Sequence, residues 1–344
     1  MRQPMVRSSI LSDLQPFLAE RGASAHDLLR EVGLPLRCLA EPDYLVRVGK
    51  VNRLLELASQ RLAMPDFGLQ LSRTRRLAKL GVVGALMRDE QTVRDALQRF
   101  IANSHLNSSA TWLQLREEGD LALLRVFIDA DRQPAIRQAT EMAVGGLVRI
   151  LQQLLRPDWR PREVWFCHTP VHTAGLVRQF FGCPVRFGAE WDGFAFDRND
   201  LDQGLPLADA GLARYVQMAA TQATPHADSP RVHRVKQRIF ALMMDGRCSA
   251  GEVAASLGID RRTLHRHLAA EGTGYQQVHD AIRLEIAQRQ LRTGTAHLSQ
   301  LAQAVGCGSL SSFSRWFKLQ TGLSPTRWVA AGAPHAREPA IGEP

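Results

Sequence analysis

The apolar positions follow a helical period at first, then an alternating one, and then a helical one again. Helical spacing extends over 47–63, 92–104 and 138–155, and alternation occupies 110–116 and 121–129. The alternating runs flank Glu117-Glu118-Gly119-Asp120, which is typical of a hairpin with glycine in a short loop. Shorter runs predict strands over 163–167, 184–187 and 192–196 and a helix over 173–181. The first two thirds of the chain therefore predict an α+β domain in which helices cover a small sheet.

The last third of the chain has helical spacing only. Ser229-Pro230 offers an N-cap and a proline at the first position of a helix that ends before Gly246. The preceding segment, 221–230, has no apolar periodicity and predicts a linker. Three prolines and two glycines over 331–344 predict a disordered tail. We expect an α+β domain over 1–220, the linker, an all-α domain over 231–330, and the tail.

Two segments of the all-α domain are similar to each other. SAGEVAASLGIDRRTLHRHLAAEG begins at Ser249, and HLSQLAQAVGCGSLSSFSRWFKLQTG begins at His297, with matching positions 48 or 49 residues apart. Each copy has a small residue where two helices could cross, a glycine for the turn, an apolar residue after it, and an apolar pair four residues apart. These positions are Ala254, Gly258, Ile259, Leu264 and Leu268, and Ala302, Gly306, Cys307, Phe313 and Phe317. One copy would fit a plain helical hairpin, but the repetition favours a duplicated helix-turn-helix.

A predicted helix over 275–291 connects the two copies. At 1.5 Å per residue it would be roughly 25 Å long. Such a rod could hold two recognition helices about 34 Å apart, one turn of DNA. The connection therefore fits two helix-turn-helix units that bind one duplex.

The charge distribution agrees with this assignment. The formal net charge is +9; residues 229–344 hold 15 Lys+Arg against 8 Asp+Glu, whereas residues 1–228 hold 28 against 26. A basic surplus confined to one domain is typical of nucleic-acid binding, although an ordinary solvated surface would also explain it. An apolar content of 45% excludes a mostly disordered chain.

Location and redox state follow from other features. No charge-free stretch is long or apolar enough to cross a bilayer, and no secretory signal is visible, so we expect no membrane association. The five cysteines are odd in number and form no CxxC pair, which favours reduced thiols in the cytoplasm.

The chain resembles the AraC/XylS family of bacterial transcription regulators. The second copy continues as LAQAVGCGSLSSFSRWFKLQTGLSPTRW, with the family's pattern at Phe313, Arg315, Phe317, Lys318 and Gly322. Cys307 departs from the usual Phe, and Trp328 from the usual Tyr. Segments such as RLAKLGVVGALM and FFGCPVRFGAEWDGFAFDRNDL are similar to the arabinose-binding-type N-terminal domain of one branch of the family. The resemblance covers about residues 20–330.

The resemblance implies which residues touch double-stranded DNA. The recognition helices would span about 261–271 and 309–321. Carried over by motif, the base contacts are Arg262, His265, Arg266, Leu310, Ser311, Ser314 and Arg315. Forked arginine donors suit guanine O6 and N7, and Leu310 could meet only a thymine methyl or a sugar. Phosphate contacts are expected from Arg261, Thr263, Ser312, Lys318 and Arg327, with surface salt bridges as the competing interpretation for each arginine.

The resemblance also implies the partners of the N-terminal domain: a small-molecule effector, a second copy of the chain, or both, with RNA polymerase recruited at the promoter. The helix over 138–155 and the segment 207–218 are the two candidate dimer surfaces. Aromatic residues in or beside the strands could enclose a ligand or form ordinary core, and core is the simpler interpretation. These aromatic residues are Trp112, Trp165, Phe166, Trp191 and Phe194.

Catalytic chemistry has little support in the sequence. No GxSxG, Walker A or HExxH motif is present, so an enzyme fused to a DNA-binding domain is a weak alternative. Cys167, His168 and His172 have a spacing that metal ligands can have, but a packed strand end explains them better. We expect no cofactor, no metal and no catalytic residue. A regulator whose N-terminal domain only dimerises is the stronger alternative to an effector-responsive one.

Overall fold

The computed structural model describes residues 3–130, 136–169, 174–205, 230–244, 248–293 and 298–332. The chain divides between His233 and Arg234 into two compact units. The predicted dimer segment 207–218, most of the predicted linker, and most of the tail lie outside the described residues. Among the described residues, no helix combines the length and the hydrophobicity of a membrane span.

A mixed five-stranded sheet is the centre of the first unit. Its strands are β3 (Thr111–Glu118), β4 (Leu121–Ile128), β5 (Glu163–Phe166), β6 (Val185–Phe187) and β7 (Asp192–Asp197), after an N-terminal pair, β1 (Met5–Arg7) and β2 (Leu45–Arg47). The order across the sheet is β3-β4-β7-β5-β6, and only β5 and β6 are parallel neighbours. The predicted small sheet and its five strands are confirmed.

The predicted hairpin forms with a shorter loop than expected. Glu118 pairs with Leu121, so Glu117 and Glu118 belong to β3 and only Gly119-Asp120 makes the turn. Gly119 has φ of 60°, a conformation that two-residue hairpin turns require and glycine adopts without strain. The turn geometry thus explains the glycine.

Eight helices precede Pro230 in the described part of the first unit. They are α1 (Leu14–Ala19), α2 (Ala25–Glu31), α3 (Val48–Arg61), α4 (Phe67–Ser72), α5 (Val82–Arg88), α6 (Val93–Asn103), α7 (Arg137–Leu154) and α8 (Ala174–Phe181). Of these, α6 and α7 pack on the five-stranded sheet. Short 3-10 segments occupy Ser8–Leu11, Leu36–Leu39, Leu77–Leu80, Ser104–Leu106 and Arg198–Asp202. The helices predicted over 47–63, 92–104, 138–155 and 173–181 are confirmed as α3, α6, α7 and α8. Thr92 caps α6 by accepting the Asp95 N–H, as its position predicts.

Helix α7 lies inside the first unit. Gln153 is the one exposed residue along its length. It packs against α3, α4 and β4, and its apolar residues contribute to two clusters of buried side chains. The suggestion that this helix is a dimer surface is therefore wrong, because its apolar face is already covered by the unit's own core.

The described part of the second unit is helical throughout. It contains α9 (Pro230–Met244), α10 (Ala250–Ser256), α11 (Arg261–Ala269), α12 (Tyr275–Thr293), α13 (Leu298–Ala304), α14 (Leu310–Thr321) and α15 (Pro325–Ala330). The division between the units falls within α9. The all-α prediction for this part of the chain is confirmed.

Candidate nucleic-acid interface

Helices α10 and α11 form the first helix-turn-helix. Ser249 opens α10 with a capping box: its hydroxyl accepts the Glu252 N–H, and the Glu252 carboxylate accepts the Ser249 N–H. Gly258 makes the turn with φ of 67°, a region that favours glycine. Leu264 and Leu268 of α11 are fully buried, as is Ala254 where the two helices meet. The apolar pair therefore fixes which side of α11 faces inward.

Helices α13 and α14 repeat this arrangement. Gly306 makes the turn with φ of 71°, and Phe313 and Phe317 are fully buried. Trp328 of α15 packs edge-on against Phe317, with ring centroids 5.7 Å apart. The two copies found in the sequence are thus two structural units of the same design.

The small turn residue Cys307 has a partner that the sequence did not indicate. Its sulfur accepts a hydrogen bond from the Arg283 guanidinium of α12. The same guanidinium lies 4.2 Å from the ring centroid of Trp316 on α14. Arg283 and Trp316 therefore occupy space beside a residue that is smaller than the family's usual Phe.

Helix α12 is longer than the sequence predicted. Its 19 residues, Tyr275–Thr293, correspond to roughly 28 Å along the axis. It packs against α11 and against α15. The connecting rod between the two helix-turn-helix units is therefore continuous.

The residues expected to read bases lie on the outer side of α11 and α14. Arg262, His265 and Arg266 are exposed on α11, opposite its buried leucines. On α14, Leu310, Ser311 and Arg315 are exposed and Ser314 is half-buried. Each set lies on one face of one helix, so the fold brings together the residues that the sequence assigned to each copy.

The residues expected to touch phosphates are more varied. Arg261, Ser312, Lys318 and Arg327 are exposed. Thr263 is half-buried, and its hydroxyl donates to Asp260 at 2.9 Å. Asp260 also accepts the Thr263 N–H, and this N-cap bonding holds the pKa of the Asp260 carboxyl below its ordinary value. Thr263 therefore has a local structural role in addition to any contact with DNA.

The arginines and the lysine expected to touch DNA form no ion pair within the described part of the chain. The six are Arg261, Arg262, Arg266, Arg315, Lys318 and Arg327, and no carboxylate oxygen lies within 4.0 Å of their charged nitrogens. Surface salt bridges therefore do not explain these side chains. Unpaired exposed cations leave a positive surface that a polyanion can neutralise.

The strand aromatics pack against other side chains of the first unit. Phe166 and Phe194 are buried in the sheet's cluster, and Trp112 is buried against Phe127, with ring centroids 4.9 Å apart. Trp165 and Trp191 pack on each other with ring centroids 4.5 Å apart, and the Arg125 guanidinium lies 4.6 Å from the Trp191 ring. The core interpretation is confirmed for Trp112, Phe166 and Phe194, whereas Trp165 and Trp191 are half-buried.

The cysteine–histidine cluster has other contacts. The Cys167 N–H donates to the Asp192 carboxylate at 2.8 Å, and His168 lies 3.3 Å from the Glu141 carboxylate. His172 is outside the described residues. No group of three or more potential metal ligands occurs within the described ranges. Burial raises the pKa of the thiols of Cys38, Cys183, Cys248 and Cys307, so these cysteines are weak nucleophiles at neutral pH.

Both parts of the chain match models of known protein families. A family model for the N-terminal arabinose-binding domain of AraC transcription regulators matches residues 22–205, and a helix-turn-helix domain model matches 253–331. The chain is 27% identical to the HTH-type transcriptional regulator VirS of Mycobacterium tuberculosis, over 97% of this chain and 98% of that protein. It is 25% identical to the ornithine utilization regulator of Pseudomonas aeruginosa, over 95% and 96% of the two chains.

One solved structure also aligns. The crystal structure of the transcriptional regulator CdpR from Pseudomonas aeruginosa covers 88% of this chain and 95% of its own, with 21% identity and a TM-score of 0.40.

Proposed function

Because the chain belongs to the AraC family of transcription regulators and binds DNA, we propose that α11 and α14 are its recognition helices. The observation that carries this assignment is the set of exposed, unpaired cations on the faces opposite Leu264, Leu268, Phe313 and Phe317. A helix that buries one apolar stripe and presents a polar, cationic stripe is suited to a major groove. The chain is a transcription regulator and not an enzyme.

We assign base reading to seven residues: Arg262, His265, Arg266, Leu310, Ser311, Ser314 and Arg315. Arg315 is the strongest of these candidates, because its guanidinium is exposed, has no carboxylate partner among the described residues, and lies on the same face as Ser311. Two parallel N–H donors match guanine O6 and N7. Phosphate contacts are assigned to Arg261, Thr263, Ser312, Lys318 and Arg327, which position the two helices without reading sequence.

Replacement of Arg315 tests this assignment. Arg315→Ala should weaken binding to the operator by about 1–3 kcal/mol and relax the preference at one base pair. Affinity is measured on the operator, found by mapping bound genomic sites, and on its single-base variants. Arg238→Ala serves as control, because Arg238 is an exposed arginine of α9 outside both recognition helices. An equal loss on every sequence would make Arg315 a phosphate contact instead of a base contact.

We further propose the organisation that the sequence suggested: an effector-sensing or dimerising domain over 1–220, a linker, and the DNA-binding domain over 231–330. The match of an arabinose-binding-type model to residues 22–205 supports a small-molecule effector. An effector shifts a regulator between states only by its difference in affinity for those states. We also propose that the protein is a cytoplasmic homodimer and that it contacts RNA polymerase at its promoter. The dimer surface would not include α7, because that helix is covered by the unit's own core.

An N-terminal domain that only dimerises is the alternative. A thermal-shift screen of metabolites separates the two, because a ligand that binds the folded protein raises the melting temperature in a saturable way. A bound metabolite that also changes operator affinity supports the effector proposal. Dimerisation without any such response would overturn it.

A further inference from the structure

A cavity of about 150 Å³ lies within the first unit. It lies where the two clusters of buried side chains meet. Val51 and Met142 belong to one cluster, and Phe100, Leu113, Val126 and Leu147 belong to the other. Most of the wall is aliphatic, so the interior favours an apolar molecule. Cavities of this volume hold a molecule about the size of benzene.

Three cations line this cavity, and no Asp or Glu is among its lining residues, all of which are described. Arg7 is paired with Asp43, and Lys79 is paired with Asp13. Hydrogen bonds from Lys79 and Thr74 outweigh burial and keep the pKa of Asp13 below its ordinary value, so this carboxylate is ionised and committed to Lys79. Arg75 is the cation that is left over.

Arg75 has no ion pair within the described part of the chain. Its guanidinium donates to the Ile10 carbonyl at 2.8 Å, and a second nitrogen lies 3.5 Å from the Ser9 carbonyl. Burial lowers the pKa of Arg75 to about 10 although Asp13 opposes the shift, so the side chain is cationic at neutral pH. The cavity therefore carries one uncompensated positive charge, which is costly unless an anion supplies the partner.

Two glycines hold the cavity's arginines in place. A Cβ atom at Gly146 would lie 3.3 Å from Cγ of Arg75, so the arginine stem lies directly on α7. A Cβ atom at Gly81 would lie 2.7 Å from the guanidinium nitrogens of Arg7. These close approaches show that both side chains pack against backbone and are pre-positioned at the wall.

Asn107 adds a free hydrogen-bond donor to the same wall. Its carbonyl oxygen accepts from Arg7 at 2.9 Å, which assigns the other side-chain atom as the amide nitrogen. That nitrogen is buried and has no hydrogen-bond partner among the described residues. Other polar residues of the wall are already engaged, since Thr111 donates to Ser108 and Ser104 donates to the Ile101 carbonyl. The wall of one cavity thus offers an unmade amide donor and an unpaired cation, two groups that a carboxylate can satisfy.

We propose that this cavity binds a small monocarboxylate with an apolar body, its carboxylate paired with Arg75 and accepting from the Asn107 amide. The apolar body lies among the aliphatic side chains contributed by both clusters. A sugar is disfavoured, because its hydroxyl groups need donors and acceptors around the whole ligand, and the wall is aliphatic over most of its area. The inference rests on the proposal that the first unit binds an effector, and it names the chemical class of that effector.

The test compares acids with their neutral analogues on the full chain. Benzoate and hexanoate should raise the melting temperature in a saturable way, and calorimetry should give dissociation constants at least tenfold lower than those of benzyl alcohol and 1-hexanol. Arg75→Gln should weaken the acids at least tenfold and leave the alcohols unchanged, whereas Arg75→Lys, which keeps the charge, should retain part of the preference. Arg73→Gln is the control, because Arg73 is exposed on the same segment and is not part of the cavity wall.

A second variant keeps the test decisive if Arg75→Gln does not fold. Ala143→Leu fills the cavity without changing its charges and should weaken acids and alcohols alike at least tenfold. The proposal is overturned if neither acid binds, if the alcohols bind as tightly as the acids, or if a folded Arg75→Gln binds the acids like the unaltered protein. Operator affinity is measured in parallel at saturating acid. Binding without any change in operator affinity would refute the effector function and leave the cavity's ligand class standing.

Discussion

At the scale of single residues, buried ionisable groups are the most informative positions in the first unit. Glu141 of α7 is fully buried, 3.2 Å from Arg137 and 3.3 Å from His168. Burial raises the pKa of Glu141 to about 7, and the nearby Glu56 and Asp66 carboxylates add to the shift, while Arg137 opposes it. One of its oxygens has no hydrogen-bond partner among the described residues. Ionisation of this side chain is therefore costly in the folded state.

The pKa of Glu141 predicts a pH dependence of stability. The folded state holds this proton more tightly than the unfolded chain, so the free energy of unfolding falls as pH rises from about 4.5 through about 7. Glu141→Gln removes the ionisation and keeps an acceptor for Arg137. At pH 8 the variant should be more stable than the unaltered protein by up to about 3 kcal/mol, and at pH 5 this advantage should shrink to below about 1 kcal/mol. Urea denaturation at the two pH values measures the difference.

An exposed acid of the same unit provides the control for this prediction. Glu41→Gln changes the net charge equally but lies at the surface, so it shows what the loss of one carboxylate does without burial. If the difference in stability between Glu141→Gln and the unaltered protein stays constant over this range, burial does not raise the pKa of Glu141 and the prediction is wrong.

At the scale of elements, α4 and α7 approach each other more closely than side chains normally allow. A Cβ atom at Gly68 would lie 2.0 Å from the Gln138 carbonyl oxygen. The side chain of Gln138 is fully buried and joins three segments. Its amide nitrogen donates to the Ser59 hydroxyl and to the Pro65 carbonyl, and its side-chain oxygen accepts the Gly68 N–H at 2.7 Å. Glycine at this position is thus a packing requirement and not a turn requirement.

Gly68→Ala should therefore destabilise the first unit. The added methyl group must push α4 away from α7 and lengthen the bond between Gln138 and the Gly68 N–H, at a cost of about 1–3 kcal/mol or more. The midpoint of urea denaturation followed by circular dichroism measures this loss. Gly175→Ala is the matched control, because a Cβ atom there meets nothing within 4 Å and α8 is a helix; it should be neutral or stabilising by about 0.4–1 kcal/mol. Equal midpoints for the two variants would contradict the close contact.

The same elements show how far periodicity predicts this fold. Long amphipathic helices such as α3, α6 and α7 and the β3-β4 hairpin were predictable, because each repeats its apolar pattern over several turns or residue pairs. Helices α4 and α5 have six and seven residues, too few to establish a period, and β1 and β2 have three each. These short elements are stabilised by contacts with distant segments, which local spacing does not encode.

The two candidate sites, the DNA-binding surface and the cavity of the first unit, also differ in how far the sequence predicts them. The exposure of the residues proposed to face DNA was predictable, because the repeat fixes the buried side of α11 and α14 and thereby the exposed side. Arg75 was not, although the basic run RTRRLAK, residues 73–79, is visible in the sequence. Local spacing does not show that Arg75 lines a cavity, because its side chain packs on Gly146 of α7, more than sixty residues away.

At the scale of the whole molecule, the uneven charge determines how binding responds to salt. Residues 229–344 hold 15 Lys+Arg against 8 Asp+Glu, and residues 1–228 are close to neutral. Each phosphate that a cation neutralises releases counterions, so the affinity falls as salt rises, with a slope of about −0.9 per contact on logarithmic axes. The slope therefore counts the cations that touch the DNA backbone, and variants that change the slope show where on the chain those cations are.

The three cations assigned to phosphates, Arg261, Lys318 and Arg327, predict a slope of roughly −2.7 for one bound chain and roughly −5.4 for two. Between 50 and 200 mM salt, one chain should lose about 40-fold in affinity. Lys318→Gln should reduce the slope by about 1 per chain and weaken binding equally on all sequences, unlike Arg315→Ala. Arg73→Gln in the first unit should leave the slope unchanged. The slope is measured by titrations at four salt concentrations, with the stoichiometry of the complex measured in parallel. If Lys318→Gln leaves the slope unchanged, or if Arg73→Gln reduces it, the DNA lies on a different surface from the one formed by α11 and α14.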